Sequence, residues 1–168
     1  AELRARGHDG GNAGLVVIRG QEAVLDGSLI DVSGGDGGWV DVQLSRDTGP
    51  DTIVDPDLLV PAGTGAWVSA EAMTVRADGL AGTGGELVMT ADHIRIDNSA
   101  FSASGTTGGG TILVGGDWQG QGDLRQATSV SVTDNVSLDA SATEQGDGGT
   151  IVAWSDIHNA DSRTQVSG

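Results

Sequence analysis

The sequence predicts an all-β chain wound as a parallel β-helix, a β-solenoid of about six coils. Three observations carry that expectation. A phrase made of a hydrophobic strand, an Asp at a turn and a Gly-Gly step recurs along the chain. Aromatic residues make up only 3% of the 168 residues, with no Tyr and one Phe, so a wide aromatic core is excluded. A β-helix avoids that need, because a few aliphatic side chains per strand fill its narrow channel and stack on those of the next coil about 4.8 Å away. Finally, the chain shows no helix of ordinary length, and its 29 glycines suit a fold with many sharp corners.

Taken in chain order, a strand follows each glycine step. Gly10-Gly11 precedes Leu15-Val16-Val17-Ile18, and Gly37-Gly38 precedes Trp39-Val40-Asp41-Val42-Gln43-Leu44. In the second strand Val40, Val42 and Leu44 share one face while Asp41 and Gln43 share the other, the alternation of a half-buried strand. A weaker copy, Gly63-Thr64-Gly65-Ala66-Trp67-Val68-Ser69, has Ala66 where the second Gly would stand. Gly84-Gly85, Gly109-Gly110 and Gly148-Gly149 lead into Leu87-Val88-Met89-Thr90, Thr111-Ile112-Leu113-Val114 and Thr150-Ile151-Val152-Ala153-Trp154. The doublets are expected to sit at corners that need positive φ. Asn98, in the place that Gly27 and Gly79 occupy in their phrases, fits a left-handed corner, whereas Ala140 does not.

Two stretches break the pattern of this single domain, residues 1–168. Residues 45–62 hold all three prolines, which cannot donate to a central ladder, and are expected to leave the coils as a loop or hairpin. Residues 115–128 have no strand period and are expected to form an irregular loop before Ser129-Val130-Ser131-Val132-Thr133.

Composition narrows the function. The formal net charge is −16, with 24 acidic residues against 8 basic ones, every one of them Arg, so nucleic acid and anionic membrane are poor partners. No cysteine is present to build a disulfide or a thiolate zinc site. Without Lys there is no P-loop. His8, His93 and His158 are far apart and form no zinc-binding spacing, and Ser155, Asp156 and His158 are neighbours in sequence only. The chain is therefore expected to have no catalytic residues.

Two groups remain as candidate sites. Asp26, Asp78, Asp97 and Asp139 each stand in the repeated phrase, either capping their own turns or stacking as one column along a corner. In a column, mutual repulsion would favour a bound cation, calcium above all. Trp118 and Arg125 lie in the irregular loop, where an aromatic beside a guanidinium offers stacking and hydrogen bonding to a sugar or a protein. The other tryptophans, Trp39, Trp67 and Trp154, are expected to pack over glycine corners.

The phrases from Ser104 to Gly120 and from Gly146 to Asp156 resemble repeat segments of filamentous-haemagglutinin-like exoproteins, the bacterial adhesins exported by two-partner secretion. The resemblance spans roughly Ile94 to Asp156, with a looser echo from Asp26 to Leu44. It implies a right-handed parallel β-helix, secreted through an outer-membrane transporter partner and located outside the cell or on its surface. There it would serve as a stalk or adhesive face toward glycans or proteins of a host or neighbouring cell. No Asn-Pro occurs, so this segment is not the export-recognition piece of such a protein, and the family has no common catalytic residues to carry over. The chain begins and ends inside the repeat pattern, as a segment of a longer exoprotein would. Its outer strands would then pair with further coils or with another copy end to end. The runner-up expectation is a carbohydrate-active β-helix enzyme, a lyase or hydrolase.

Overall fold

The computed structural model describes residues 1–45, 65–133, 135–158 and 160–167. In chain order the strands are β1 (Glu2–Arg4), β2 (Leu15–Gly20), β3 (Glu22–Val24), β4 (Leu29–Asp31), β5 (Trp39–Leu44), β6 (Trp67–Glu71), β7 (Thr74–Arg76), β8 (Glu86–Thr90), β9 (His93–Asp97), β10 (Ala100–Ser102), β11 (Thr111–Val114), β12 (Ser129–Val132), β13 (Ser137–Asp139), β14 (Thr150–Ala153) and β15 (Arg163–Val166). They form three five-stranded sheets, ordered β1-β4-β7-β10-β13, β14-β11-β8-β5-β2 and β15-β12-β9-β6-β3, here sheets 1, 2 and 3. Every strand pair is parallel. Each coil contributes one strand to each sheet, which makes a parallel β-helix.

The described residues form five coils rather than six, because the weaker glycine copy lies on a different face. Trp67 opens β6 in sheet 3, paired with Glu22 and His93, whereas the strands after the true doublets all lie in sheet 2. The uneven period has a simple cause at the corner between sheets 2 and 3. Gln21 alone turns that corner in the first coil and Ala91-Asp92 in the third, while residues 115–128 turn it in the fourth. The expected excursion at residues 45–62 stands between β5 and β6 in the sequence, and apart from Ser45 it lies outside the described residues.

The core is a set of aliphatic columns. Leu3, Ile30, Val75, Phe101 and Leu138 are in register in sheet 1. Val40, Leu87 and Ile112 stack in sheet 2, and Val68, Ile94 and Val130 in sheet 3, all nearly fully buried. Small residues fill the edge between sheets 1 and 2, where Val32, Ala77 and Ala103 are sealed from solvent. No large aromatic core is needed, and Phe101 is the one bulky ring in the channel of described residues.

The corner between sheets 3 and 1 turns on one left-handed residue per coil. Gly27 (φ 58°), Ala72 (φ 51°), Asn98 (φ 44°) and Asn135 (φ 59°) each precede a sheet 1 strand by the same two positions. Gly and Asn accept this conformation; Ala does so at a cost. Ala72→Gly is therefore expected to raise stability by about 1 kcal/mol, read as a higher denaturant midpoint with an unchanged m-value.

The glycine doublets, by contrast, are not there for positive φ: none of the four from Gly37-Gly38 to Gly148-Gly149 has it. Close approach between coils is the reason. A Cβ on Gly38, Gly85, Gly110 or Gly149 would lie 2.2, 2.0, 2.0 and 1.8 Å from the carbonyl oxygen of the glycine one coil before. On Gly37, Gly84 and Gly109 it would meet a backbone carbonyl of the next coil, from Ala77, Ala103 and Ala140, at 2.1, 1.9 and 1.9 Å. Two adjacent ladders of bare backbone thus run along the axis. Ala140 belongs to the small-residue edge rather than to a corner, which is why it departs from the pattern of Gly27.

Candidate functional site

The doublets also close the turns between sheets 1 and 2. Gly14, Gly38, Gly85, Gly110 and Gly149 donate their N–H to the carbonyls of Ala5, Val32, Ala77, Ala103 and Ala140, at 2.7 to 2.8 Å. Turns of different length are pinched at one point, so the strand after each doublet starts in register. The first residues of those strands, Leu15, Trp39, Glu86, Thr111 and Thr150, form a column on the outer face of sheet 2. Beside this column the glycine backbone forms the floor of a shallow groove of about 650 Å³ that crosses four coils. Trp39 stands over it with 46% of its surface exposed.

The remainder of that outer face is divided. In coils three to five, Val88, Leu113 and Val152 stack and are covered by Leu124 and Trp154, so residues 115–128 act as a strap over sheet 2. Gln126 ties the strap down, accepting from Trp154 Nε1 at 3.0 Å and donating to the Gly120 carbonyl at 3.1 Å. In coils one and two Leu15, Val17 and Trp39 on the same face are exposed. Arg19 there pairs with the mostly buried Asp41, which also accepts from Gln43 at 2.8 Å.

Glu86 is the charged side chain lining the groove. Its pKa is raised, first by burial and then by the negative charges of Asp41 and Asp117. A carboxyl whose folded pKa is raised binds its proton more tightly in the native state, so stability declines as pH rises from its ordinary value through the raised one. Glu86→Gln is expected to flatten that decline and to be more stable than the parent at neutral pH, as measured by denaturant unfolding across the acidic range.

The four phrase aspartates fall on two different corners and do not form one column. Asp78 and Asp139 lie between sheets 1 and 2, where Asp78 accepts from the Ser104 N–H at 3.1 Å and its hydroxyl at 3.0 Å, and Asp139 accepts from the Ser141 N–H at 2.9 Å. Asp31, in register with Asp139 three strands away, bonds Ser33 N in the same way at 3.1 Å. Asp26 and Asp97 lie between sheets 3 and 1, two coils apart. Asp26 accepts from Glu71 N at 3.0 Å, and Asp97 pairs with Arg95 at 3.0 Å. The Thr133 hydroxyl and then Arg95 hold the Asp97 carboxyl below its ordinary value, so its contribution is present at neutral pH and is lost as pH falls through the folded pKa. These carboxylates tie backbone turns and neighbouring coils, and no cluster of three metal-binding side chains occurs among the described residues.

Of the loop pair, Trp118 begins a 3-10 turn (Trp118–Gly120) and is 61% exposed. Arg125 is engaged: its Nε and Nη2 both donate to Asp92, whose other oxygen accepts from Ala66 N at 2.7 Å. Arg125 thus fastens the strap to the corner. Ser155, Asp156 and His158 make no relay, since Asp156 accepts from the His158 backbone N–H at 2.9 Å and Thr164 bonds Ser155 at 3.0 Å. His93 meets the Ser129 hydroxyl at 2.8 Å across neighbouring coils.

Trp39 is the residue that sequence reasoning left out of the site, as a packing side chain over a corner, whereas it is about half exposed over the groove. The signal was available. Aligning the residue after each doublet puts Trp39 in one series with Leu15, Glu86, Thr111 and Thr150, a mixture of side chains that a core position would not tolerate. No family model, curated protein or solved structure matches this chain.

Proposed function

We propose that this chain is a β-solenoid segment of a secreted or surface-attached bacterial exoprotein, similar to the filamentous-haemagglutinin-like adhesins, and that it works by contact and without turnover of its own. The observation that carries the reading is the pair of exposed tryptophans, Trp39 and Trp118, on or beside one outer face whose backbone is locked from coil to coil. An exposed aromatic fixed on a rigid ladder loses little freedom when it binds, which is what a contact surface needs. The acidic field supports partners that are neutral or basic, such as uncharged glycans or proteins of a neighbouring cell. Binding of the purified chain to immobilised cells and glycans tests the reading, together with release of reducing ends from polysaccharides. The expected result is retention without cleavage, with retention on cells weakened in Trp118→Ala and little change in the unfolding midpoint. Polysaccharide cleavage abolished by Glu86→Gln would overturn it in favour of an enzyme.

A further inference from the structure

We infer that the glycine-floored groove binds a neutral, gluco-configured polysaccharide, laid along the solenoid axis with one sugar ring stacked on Trp39. This rests on the contact reading above and gives it a ligand class and a site. The platform comes first. Trp39 N donates to the Gly14 carbonyl at 3.0 Å, and Glu86 N in the next coil to the Gly38 carbonyl at 3.0 Å, so the indole projects from backbone held on both sides. A gluco-configured ring has its hydroxyls equatorial and presents flat C–H faces, which suit an exposed indole.

The floor argues against a peptide. Its glycine N–H groups are already bonded within the solenoid, Gly37 N to Thr83 O at 2.9 Å and Gly84 N to Gly108 O at 2.9 Å, and the Gly85 carbonyl accepts from Thr111 N at 2.9 Å. An extended peptide laid along the axis would cross the strands rather than run beside the edge strand β2, and so has no ladder bonds to gain. A sugar needs none. Side chains supply what it does need, since the Glu86 carboxyl can accept from two adjacent hydroxyls and Thr111 adds a hydroxyl in the next coil.

Charge and dimension narrow the class further. Glu86 with Asp41 and Asp117 nearby, in a chain of net charge −16, disfavours uronate or sulfated polymers. The groove spans four coils, about 14 Å at the roughly 4.8 Å spacing of neighbouring strands. That spacing is close to the advance of one residue in an extended pyranose chain, so successive rings meet successive coils.

Titration of the intact chain with cellotetraose, N-acetylchitotetraose and tetragalacturonate, followed by calorimetry and tryptophan fluorescence, tests the inference. At least one neutral tetrasaccharide should bind, with affinity at least about tenfold lower in Trp39→Ala, partly restored in Trp39→Phe and unchanged in Trp118→Ala. Equal binding by Trp39→Ala, a preference for tetragalacturonate, or no binding of either neutral tetrasaccharide overturns it. Cell adhesion measured on the same preparations separates the two readings. Adhesion by the parent chain that persists in Trp39→Ala removes the groove and leaves the contact reading standing; no adhesion by the parent chain removes the contact reading itself.

Discussion

Gly85→Ala is expected to cost at least about 3 kcal/mol or to abolish cooperative unfolding, although it adds a single methyl group. The new Cβ would lie 2.0 Å from the Gly38 carbonyl oxygen and 2.8 and 2.9 Å from Gly37 C and Gly38 N, all backbone. No side chain can rotate away. The coils must separate there, and the Glu86-to-Gly38 hydrogen bond lies at the same point. Gly148→Ala is the matched control, because a Cβ on Gly148 meets nothing within 4 Å and its φ is not positive. That variant should stay within about 0.5 kcal/mol of the parent. Chemical denaturation of the pair separates steric contact between coils from conformational freedom as the reason for the doublets.

Phe101→Ala is expected to destabilise by about 3 to 5 kcal/mol. The ring is 1% exposed, and Val75 and Leu138 lie above and below it in register. A narrow channel collapses poorly around a lost ring, because each neighbouring side chain is fixed by its own strand's ladder. Phe101→Leu keeps most of the volume and should cost less than half as much. A loss of similar size in both variants would show that the ring itself, rather than the space it fills, matters.

Much of the fold was legible because the solenoid repeats its solution. The Gly-Gly doublets marked the strands of sheet 2 directly, since close approach leaves no alternative to glycine at Gly38, Gly85 and Gly110. The coil number was overread at Ala66-Trp67, where a Gly-rich approach imitates a doublet although the strand belongs to sheet 3. Short sheet 1 strands such as Leu29–Asp31 and Ala100–Ser102 carry too few residues to show alternation, and only pairing reveals them. The site was less legible for a physical reason. Asp26, Asp78, Asp97 and Asp139 share a phrase but sit after different strands, so their equivalence in sequence did not mean proximity in space. Trp39 and Trp67 look alike beside a glycine step, yet one is exposed on sheet 2 and the other buried on sheet 3, and only the register of the coils distinguishes them.

The parallel stacking of coils underlies the glycine ladders, the groove and the position of Trp39, and nuclear Overhauser contacts across the strands of the labelled chain test it most directly. Contacts linking Val40 to Leu87 and Leu87 to Ile112, with both strand directions the same, are the expected result. Antiparallel contacts between strands consecutive in sequence, such as β8 with β9, would contradict the solenoid.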